Sequence, residues 1–253
     1  MVQELIVAGL GAVVAVIVFV VGARVWPEQW QRGRDETAGD LVLDLVRNLF
    51  IAVIAFMVVL FWQQDDDAEN HTVVEAKGLV GVYSLAHNLP EPHHRRVQGL
   101  VRDYTGRVLE REWGLMRREH RLDTSTQAAL TALQDALAAV PAGDPGVADL
   151  RFKAFDSLQQ VTEARQDRAV DVDRSVPGFL WIALYVGAVL VLASPVVSGL
   201  RITRNNVLVI ALLGVVIASM LLQFHHLDRP FSGHAVVSRG AFENAMTTFG
   251  QIT

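Results

Sequence analysis

The chain has 253 residues, 51% of them hydrophobic, and its 27 acidic and 22 basic residues give a formal net charge of −5. The hydrophobic fraction lies above the usual range of soluble globular domains. The acidic balance argues against a nucleic-acid-binding protein, because such proteins carry a basic face or stripe. The sequence contains no cysteine, which excludes disulfides, a thiolate nucleophile and cysteine metal sites.

The first apolar block covers residues 5–23, which are uncharged and lie between Glu4 and Arg24. An α-helix needs about 20 such residues to cross a bilayer. A cleaved signal peptide is the alternative interpretation, but no basic region precedes the block. We therefore predict a first transmembrane helix here.

Three further blocks have the length and composition of membrane spans. The second covers residues 41–62 and carries Asp44 and Arg47 near one interface. The third covers 177–199 and the fourth 206–225, and the short turn between them predicts an antiparallel hairpin. Four blocks that are apolar on every face would expose a very large hydrophobic surface in water, so we predict that all four lie in a membrane.

The segment 63–176 carries most of the charge and shows helical periodicity in four runs. The prolines at 90 and 92 separate the first two runs, and Asp123 and Asp144 are good N-cap candidates before the third and fourth. The fold class predicted is an all-α integral membrane protein: two hairpin-like pairs of transmembrane helices, with an antiparallel four-helix bundle inserted between them.

The tail, residues 228–253, is too polar to span a bilayer. It predicts a short amphipathic helix that packs on the inserted domain or on the bilayer surface. The residues expected on its apolar side are Phe242, Ala245, Met246 and Phe249.

The distribution of arginine in short loops predicts the orientation of the chain. Residues 24–47 and 199–206 are rich in arginine and are expected in the cytoplasm of a bacterial plasma membrane, which puts the inserted domain outside. Six basic residues lie on the other side as well: Lys77, Arg165, Arg168, Arg174, Arg229 and Arg239.

Several residues together resemble the bacterial membrane-protein family with a bestrophin-like domain. They are the segment from Glu75-Ala76 to Tyr83, then Tyr104, then Glu112-Trp113, and the run from Leu227 through Asp228-Arg229-Pro230-Phe231 to Gly233. The resemblance covers nearly the whole chain. It implies an oligomeric channel with four membrane helices per subunit, and it implies a cytosolic helical domain, which conflicts with the orientation expected from the arginines.

The second helix supplies the candidate pore. If it lines an oligomer axis, Asn48, Ala52, Ala55 and Val59 share one face of small residues beside the conduction path. Asp44 and Arg47 then lie at the pore mouth, since polar groups at membrane depth are costly and often functional. The alternative is that Asp44 and Arg47 form an interfacial ion pair while Asn48 bonds a neighbouring helix.

Two further polar groups are candidates for the pore mouth or for gating. Around an oligomer, Asp65, Asp66 and Asp67 would form an acidic ring that favours cations; the alternative is a solvated stop where a new helix starts. At the end of the fourth helix, a pH-sensitive gate is one interpretation and an interfacial turn is the other. The residues there are His225, His226, Asp228 and Arg229.

The sequence thus favours a homo-oligomeric channel, or channel-like protein, that conducts small ions, with lipid and further copies of itself as partners. The alternative is a non-conducting membrane sensor or scaffold whose helical insert binds a ligand or partner. We predict neither a cofactor nor a metal, because no phosphate-binding loop, nucleophile elbow or metal-ligand spacing occurs. We also predict that the protein is not an enzyme.

Overall fold

The computed structural model describes residues 2–25, 36–228, 230–231 and 237–252. Their secondary structure is helical, with no strand among them. The helices are α1 (Val2–Val25), α2 (Glu36–Ala86), α3 (His93–Arg107), α4 (Trp113–Glu119), α5 (Thr124–Ala138), α6 (Pro145–Asp173), α7 (Gly178–Val197), α8 (Arg204–Leu227) and α9 (Gly240–Gln251), with a π-helical stretch, Val108–Glu112, between α3 and α4.

The chain divides into two compact units. The membrane unit contains residues 1–62 and 175–228, and the helical domain contains 63–174 and 229–253. Helix α2 contributes to both units, because it runs without a break from Glu36 to Ala86. The tail therefore belongs to the helical domain.

Among the described residues, four helices are long and apolar enough to cross a membrane. They fall within the stretches Leu5–Val25, Leu41–Ala86, Pro145–Val197 and Arg204–Leu227. The predicted all-α fold with four membrane helices is confirmed. Because no water is available in the bilayer core, helices that bond their own backbone groups are one of the few structures that can cross it.

One face of α2 packs inside the membrane unit. Its buried aromatic and sulfur-containing side chains are Phe50, Met57 and Phe61, which are spaced seven and four residues apart and therefore share one side of the helix. They meet Leu184 of α7 and Phe224 of α8, whose ring centre lies 5.3 Å from that of Phe61. This packing decides which face of α2 remains exposed.

Helices α1 and α8 approach each other closely at two glycines. A Cβ atom added to Gly11 would lie 2.3 Å from the Cβ atom of Ala218 and 2.6 Å from the backbone oxygen of Gly214. A Cβ atom added to Gly214 would lie 2.5 Å from the Cβ atom of Ala15. Each helix thus carries a small residue, three intervening residues and another small residue, the pattern that lets membrane helices bring their backbones together.

The helical domain is built around one apolar cluster, to which α2, α3, α5, α6 and α9 contribute. The predicted caps are observed: Asp123 accepts a hydrogen bond from the backbone N–H of Ser125 before α5, and Asp144 accepts two, from Gly146 and Val147, before α6. Both caps satisfy N–H groups that a helix start leaves without an intrahelical partner.

Two expectations need correction. No helix starts at Asp65, Asp66 or Asp67, because α2 continues through them; the run of apolar contacts on both sides of the aspartates outweighs their preference for helix starts. In α9, Phe242 and Phe249 are buried in the domain core as expected, whereas Met246 is 38% exposed.

The crossing of α1 and α8 gives the first testable prediction. Replacing Gly11 with alanine should destabilise the protein by about 1–3 kcal/mol, because the new methyl group forces two backbones apart. The matched control is Gly9→Ala, since a Cβ atom there meets nothing within 4 Å. The control should be neutral or slightly stabilising, as alanine is the better helix former. Thermal unfolding in detergent, followed by circular dichroism, compares the two; equal midpoints would contradict the close crossing.

Candidate functional site

The four residues predicted to line a pore lie together on the exposed side of α2. Asn48, Ala52, Ala55 and Val59 follow one another at intervals of four, three and four residues, and all four are exposed. The buried residues of α2 lie on the other side of the helix. Within the part of the chain that the structure describes, this face is therefore left uncovered, and pore lining stays a prediction.

Asp44 and Arg47 form an ion pair at the beginning of the second apolar block. Arg47 Nη1 donates to Asp44 Oδ1 over 2.9 Å, and both side chains are exposed. This is the geometry of the alternative interpretation, a local pair one helical turn apart.

The acidic run after Trp62 is divided between different environments. Asp66 is exposed, whereas Asp67 accepts a hydrogen bond of 3.0 Å from Arg174 Nη1. Burial, followed by repulsion from Glu69 and Asp66, raises the pKa of Asp65. The ion pair with Arg174 compensates the charge of Asp67, so any acidic ring around an oligomer axis would depend on Asp65 and Asp66.

The predicted group at the end of α8 is only partly brought together. The ring of His225 lies 6.4 Å from that of Trp181 and 6.5 Å from that of His226. Asp228 Oδ1 accepts a hydrogen bond of 3.1 Å from the backbone N–H of Val176, which ties the end of α8 to the residues before α7. Arg229 lies outside the described residues, as does part of the run that ends at Gly233. Across the described parts of the chain, no three His, Asp or Glu side chains are placed to hold a metal ion.

The strongest polar arrangement in the structure is a buried network in the helical domain, which the sequence interpretation missed. It consists of two carboxylates and two guanidiniums with a tyrosine between them: Glu75, Tyr104, Glu112, Arg165 and Arg168. All five residues are buried. The four charges sum to zero, which is the condition under which ionised groups are tolerated in a protein interior.

Arg168 is the centre of this network. Its Nε and Nη2 atoms donate to the two carboxylate oxygens of Glu75 over 2.8 and 2.9 Å, and Nη2 also donates to Glu112 Oε1 over 2.8 Å. The third nitrogen contacts the sulfur of Met116, and the guanidinium lies over the ring of Phe242, 5.6 Å from its centre. A single side chain of α6 thus joins α2, the π-helical stretch, α4 and α9.

Arg165 completes the network one turn earlier on α6. Both terminal nitrogens donate to Glu112 over 2.7 Å, a bidentate geometry that only arginine provides. Its Nη1 atom also donates to the hydroxyl oxygen of Tyr104 over 3.1 Å, and that hydroxyl donates to Glu75. Glu112 accepts one more bond, from the backbone N–H of Asp123. Glu112 therefore has hydrogen-bond partners for both carboxylate oxygens.

The electrostatics of the network follow from these contacts. Burial alone raises the pKa of Glu112, but the guanidiniums of Arg168 and Arg165 outweigh it and hold the pKa below its usual value. Burial, with the nearby Glu75 carboxylate, raises the pKa of Tyr104 well above its usual value. The network therefore stays ionised at Glu112 and protonated at Tyr104 across the physiological range, and it fixes helices in register.

The sequence contains a signal for this network. Arg165 and Arg168 fall in phase with Leu158, Val161 and Val172, which are the buried positions of α6. A charged residue at a core position of an amphipathic helix requires a buried partner of opposite charge. Two such arginines therefore predict two buried carboxylates on other helices. Which carboxylates pair with the two arginines can be seen only in the tertiary structure.

The π-helical stretch ends at Glu112 itself. Such stretches are rare and are frequently found at functional sites. Here the stretch places the Glu112 carboxylate beside two arginines of α6, and it thereby positions a negative charge in the domain core.

Breaking the network should be much more costly than breaking an exposed ion pair. Arg168→Met leaves the Glu75 carboxylate buried without its partner, and we expect a loss of about 3–5 kcal/mol. The double variant Glu75→Gln with Arg168→Met should recover part of this loss, because the orphaned charge is removed.

The matched control for that experiment is Arg95→Gln, which breaks the exposed pair between Arg95 and Glu91. Its cost should be below about 1 kcal/mol. Thermal unfolding of the full-length protein in detergent measures all three variants. Arg168→Met and Arg95→Gln unfolding at the same temperature would contradict the network.

The lowered pKa of Glu112 predicts how this stabilisation depends on pH. A carboxyl with a depressed folded-state pKa stabilises the fold above its unfolded-state pKa, about 4.3, and loses that contribution as the pH falls through the folded-state value. The difference in unfolding temperature between wild type and Glu112→Gln should therefore be constant from neutral pH to about pH 5 and shrink below about pH 4.3. Glu91→Gln serves as the exposed control. A difference that grows on acidification would contradict the assignment.

The chain is similar to known proteins in sequence pattern and in fold. The family model described as "Bestrophin-like domain" matches residues 9–242. No curated protein matches this chain in sequence. The solved structure of a bacterial bestrophin homologue from Klebsiella pneumoniae is similar over 96% of this chain and 97% of that one, with a TM-score of 0.67 and 13% sequence identity.

Two further solved structures agree with this. A point mutant of the Klebsiella pneumoniae bestrophin homologue is similar over 100% of this chain and 98% of its own, with a TM-score of 0.66 and 13% identity. A mutant of a protein described as a membrane protein covers 99% of this chain and 97% of its own, with a TM-score of 0.68 and 13% identity. At 13% sequence identity, these similarities show that the chain shares the fold of these structures. Because the family model covers residues 9–242, the predicted resemblance is confirmed and the chain belongs to the Bestrophin-like domain family.

Proposed function

We propose that this protein is a homo-oligomeric channel that conducts small ions across a bacterial plasma membrane, with α2 lining the conduction path. Membership of the Bestrophin-like domain family and a fold similar to that of a bacterial bestrophin homologue support a channel-like function. The observation that carries the proposal is the exposed face of Asn48, Ala52, Ala55 and Val59 on α2.

The chemistry of this face differs from that of the other exposed helix faces. Helices α7 and α8 expose large apolar side chains such as Ile182, Val189 and Leu212, which suit contact with lipid. The face of α2 instead carries an amide and two alanines. An amide in contact with lipid chains alone lacks hydrogen-bond partners, whereas water in a pore or a neighbouring subunit supplies them. Small side chains also leave room for a water-filled path.

The aspartates after Trp62 are the candidate selectivity residues in this proposal. Asp66 is exposed and has no compensating cation among the described contacts, whereas Asp67 is paired with Arg174. Repeated around an axis, Asp65 and Asp66 would favour cations over anions.

A second candidate function rests on a different observation. The helical domain has an open groove of about 480 Å³ between α2 and α9, with Val73 and Ala245 on its apolar surface and Lys77 and Asn244 on its polar surface. Its volume lies within the range of small-molecule sites. This groove favours a non-conducting sensor or scaffold that binds a ligand through the domain.

Cysteine substitution tests the channel proposal, since the wild-type chain contains no cysteine. Ala52→Cys or Ala55→Cys, reconstituted in planar bilayers and exposed to a charged thiol reagent, should lose most of its conductance as the modified side chain obstructs the path. Ile182→Cys and Leu212→Cys are the controls, since both positions are exposed on other helices. Their conductance should not change.

Two outcomes would contradict the proposal. The first is an assembled oligomer that conducts no ions over a range of pH and salt concentrations. The second is a reagent effect that is equal at the α2 positions and the control positions. The first outcome combined with a ligand bound in the groove of the helical domain would favour the sensor.

A further inference from the structure

A histidine of α2 lies between two carboxylates of α6 in the helical domain. His71 Nδ1 lies 2.7 Å from Asp171 Oδ2, and Nε2 lies 3.9 Å from Asp167 Oδ2. The Asp171 side chain is 3% exposed and that of His71 is 26% exposed, so solvent screens their interaction only partly. Both ring nitrogens thus face acceptors, and the arrangement suits a doubly protonated imidazolium.

Among the described residues, the other charged groups that bond to this trio come from the same two helices. Arg174 of α6 lies 3.8 Å from Asp171 and 3.0 Å from Asp67 of α2. One turn further along, Glu75 and Arg168 bond each other in the buried network.

Among the described residues, an apolar cluster lies next to the trio. Ala68 of α2 and Val172 of α6 lie beside the trio and belong to this cluster with Met116 of α4 and with Phe231 and Val237 of the tail.

We infer that His71, Asp167 and Asp171 form a proton-operated clasp that holds α2 to α6 where the chain enters and leaves the helical domain. His71 follows soon after Gln63, the first residue of the domain, and Asp171 precedes Arg174, at which the chain leaves the domain for the membrane unit. The clasp is a property of the domain itself and goes beyond the proposed channel, since its operation does not require ion conduction.

The charge of His71 determines how the clasp responds to a change of pH. A proton on His71 places a positive imidazolium between two carboxylates, whereas the neutral ring retains a single N–H donor. Burial, ahead of the opposing pull of His71, raises the pKa of Asp171. A proton on Asp171 would remove one of the two carboxylates that attract the imidazolium, so the clasp depends on the charge of His71. The clasp therefore tightens when His71 gains a proton and loosens towards alkaline pH.

Distance measurements between spin labels test the clasp directly. Asn70→Cys on α2 and Ala169→Cys on α6 provide exposed labelling positions beside the trio, and the rest of the chain contains no cysteine. Pulsed electron paramagnetic resonance on the full-length protein in lipid nanodiscs should show a narrow distance distribution at about pH 5.5 and a broader one at about pH 8.5, on the two sides of the range in which histidine titrates.

Three further variants in the labelled protein separate the clasp from a general effect of pH. His71→Gln should give the same distribution at both pH values, because glutamine cannot gain a proton in this range. His71→Lys should keep the distribution narrow at both, because its charge is permanent there. The matched control is His93→Gln, a partly exposed position of α3 that forms no ion pair among the described contacts. It should respond like wild type.

The unfolding temperature gives a second readout. At about pH 5.5, His71→Gln should lower it by about 2–4 °C, the shift expected for one modest ion pair in a chain of this size, and the difference should shrink at about pH 8.5. A wild-type distribution that does not change with pH, or a His71→Gln variant that responds as wild type does, would overturn the inference. Neither measurement depends on conductance, so failure of the clasp and failure of the channel proposal remain distinguishable.

Discussion

The requirement that polar backbone groups be bonded without water shapes the membrane unit. A helix satisfies this requirement within its own segment, so four apolar stretches of sufficient length can enter lipid as independent rods. Lipid provides no hydrophobic force that drives the rods together, and close packing has to provide the association. The glycines at positions 11 and 214 matter for this reason: they allow α1 and α8 to bring backbone against backbone.

The helical domain differs from the membrane unit in the groups that it buries. Its core is apolar, yet it also buries two arginines and two glutamates. Such a network adds little net stability compared with a well-packed apolar core, but removing one member leaves an uncompensated charge. One register of α2, α6 and the π-helical stretch satisfies all four charges, and a shifted register leaves some of them unpaired. Geometry of this kind specifies an arrangement of helices more strictly than apolar packing alone.

The sequence predicted the fold well because the relevant signals are local. Apolar composition and the caps at Asp123 and Asp144 depend on neighbours within a few residues; four membrane-spanning candidates occur among the described residues, and both caps are observed. The continuity of α2 through its three aspartates was not predicted, because the helix is maintained by packing on both sides of them. The buried network was missed for a related reason. The periodicity of α6 marks Arg165 and Arg168 as core residues, but their partners lie more than fifty positions earlier in the chain.

The residues that carried the family resemblance have a physical role that differs from conduction. Glu75, Tyr104 and Glu112 were recognised as a sequence pattern, and the structure places all three in the buried network of the helical domain. This part of the pattern therefore reports how the domain is assembled. The small-residue face of α2 is not part of it, although that face is where a conduction path would run. In the proposed channel, the size and charge of the path would therefore be set by the side chains of this face and by the aspartates that follow it, which are not members of the domain network.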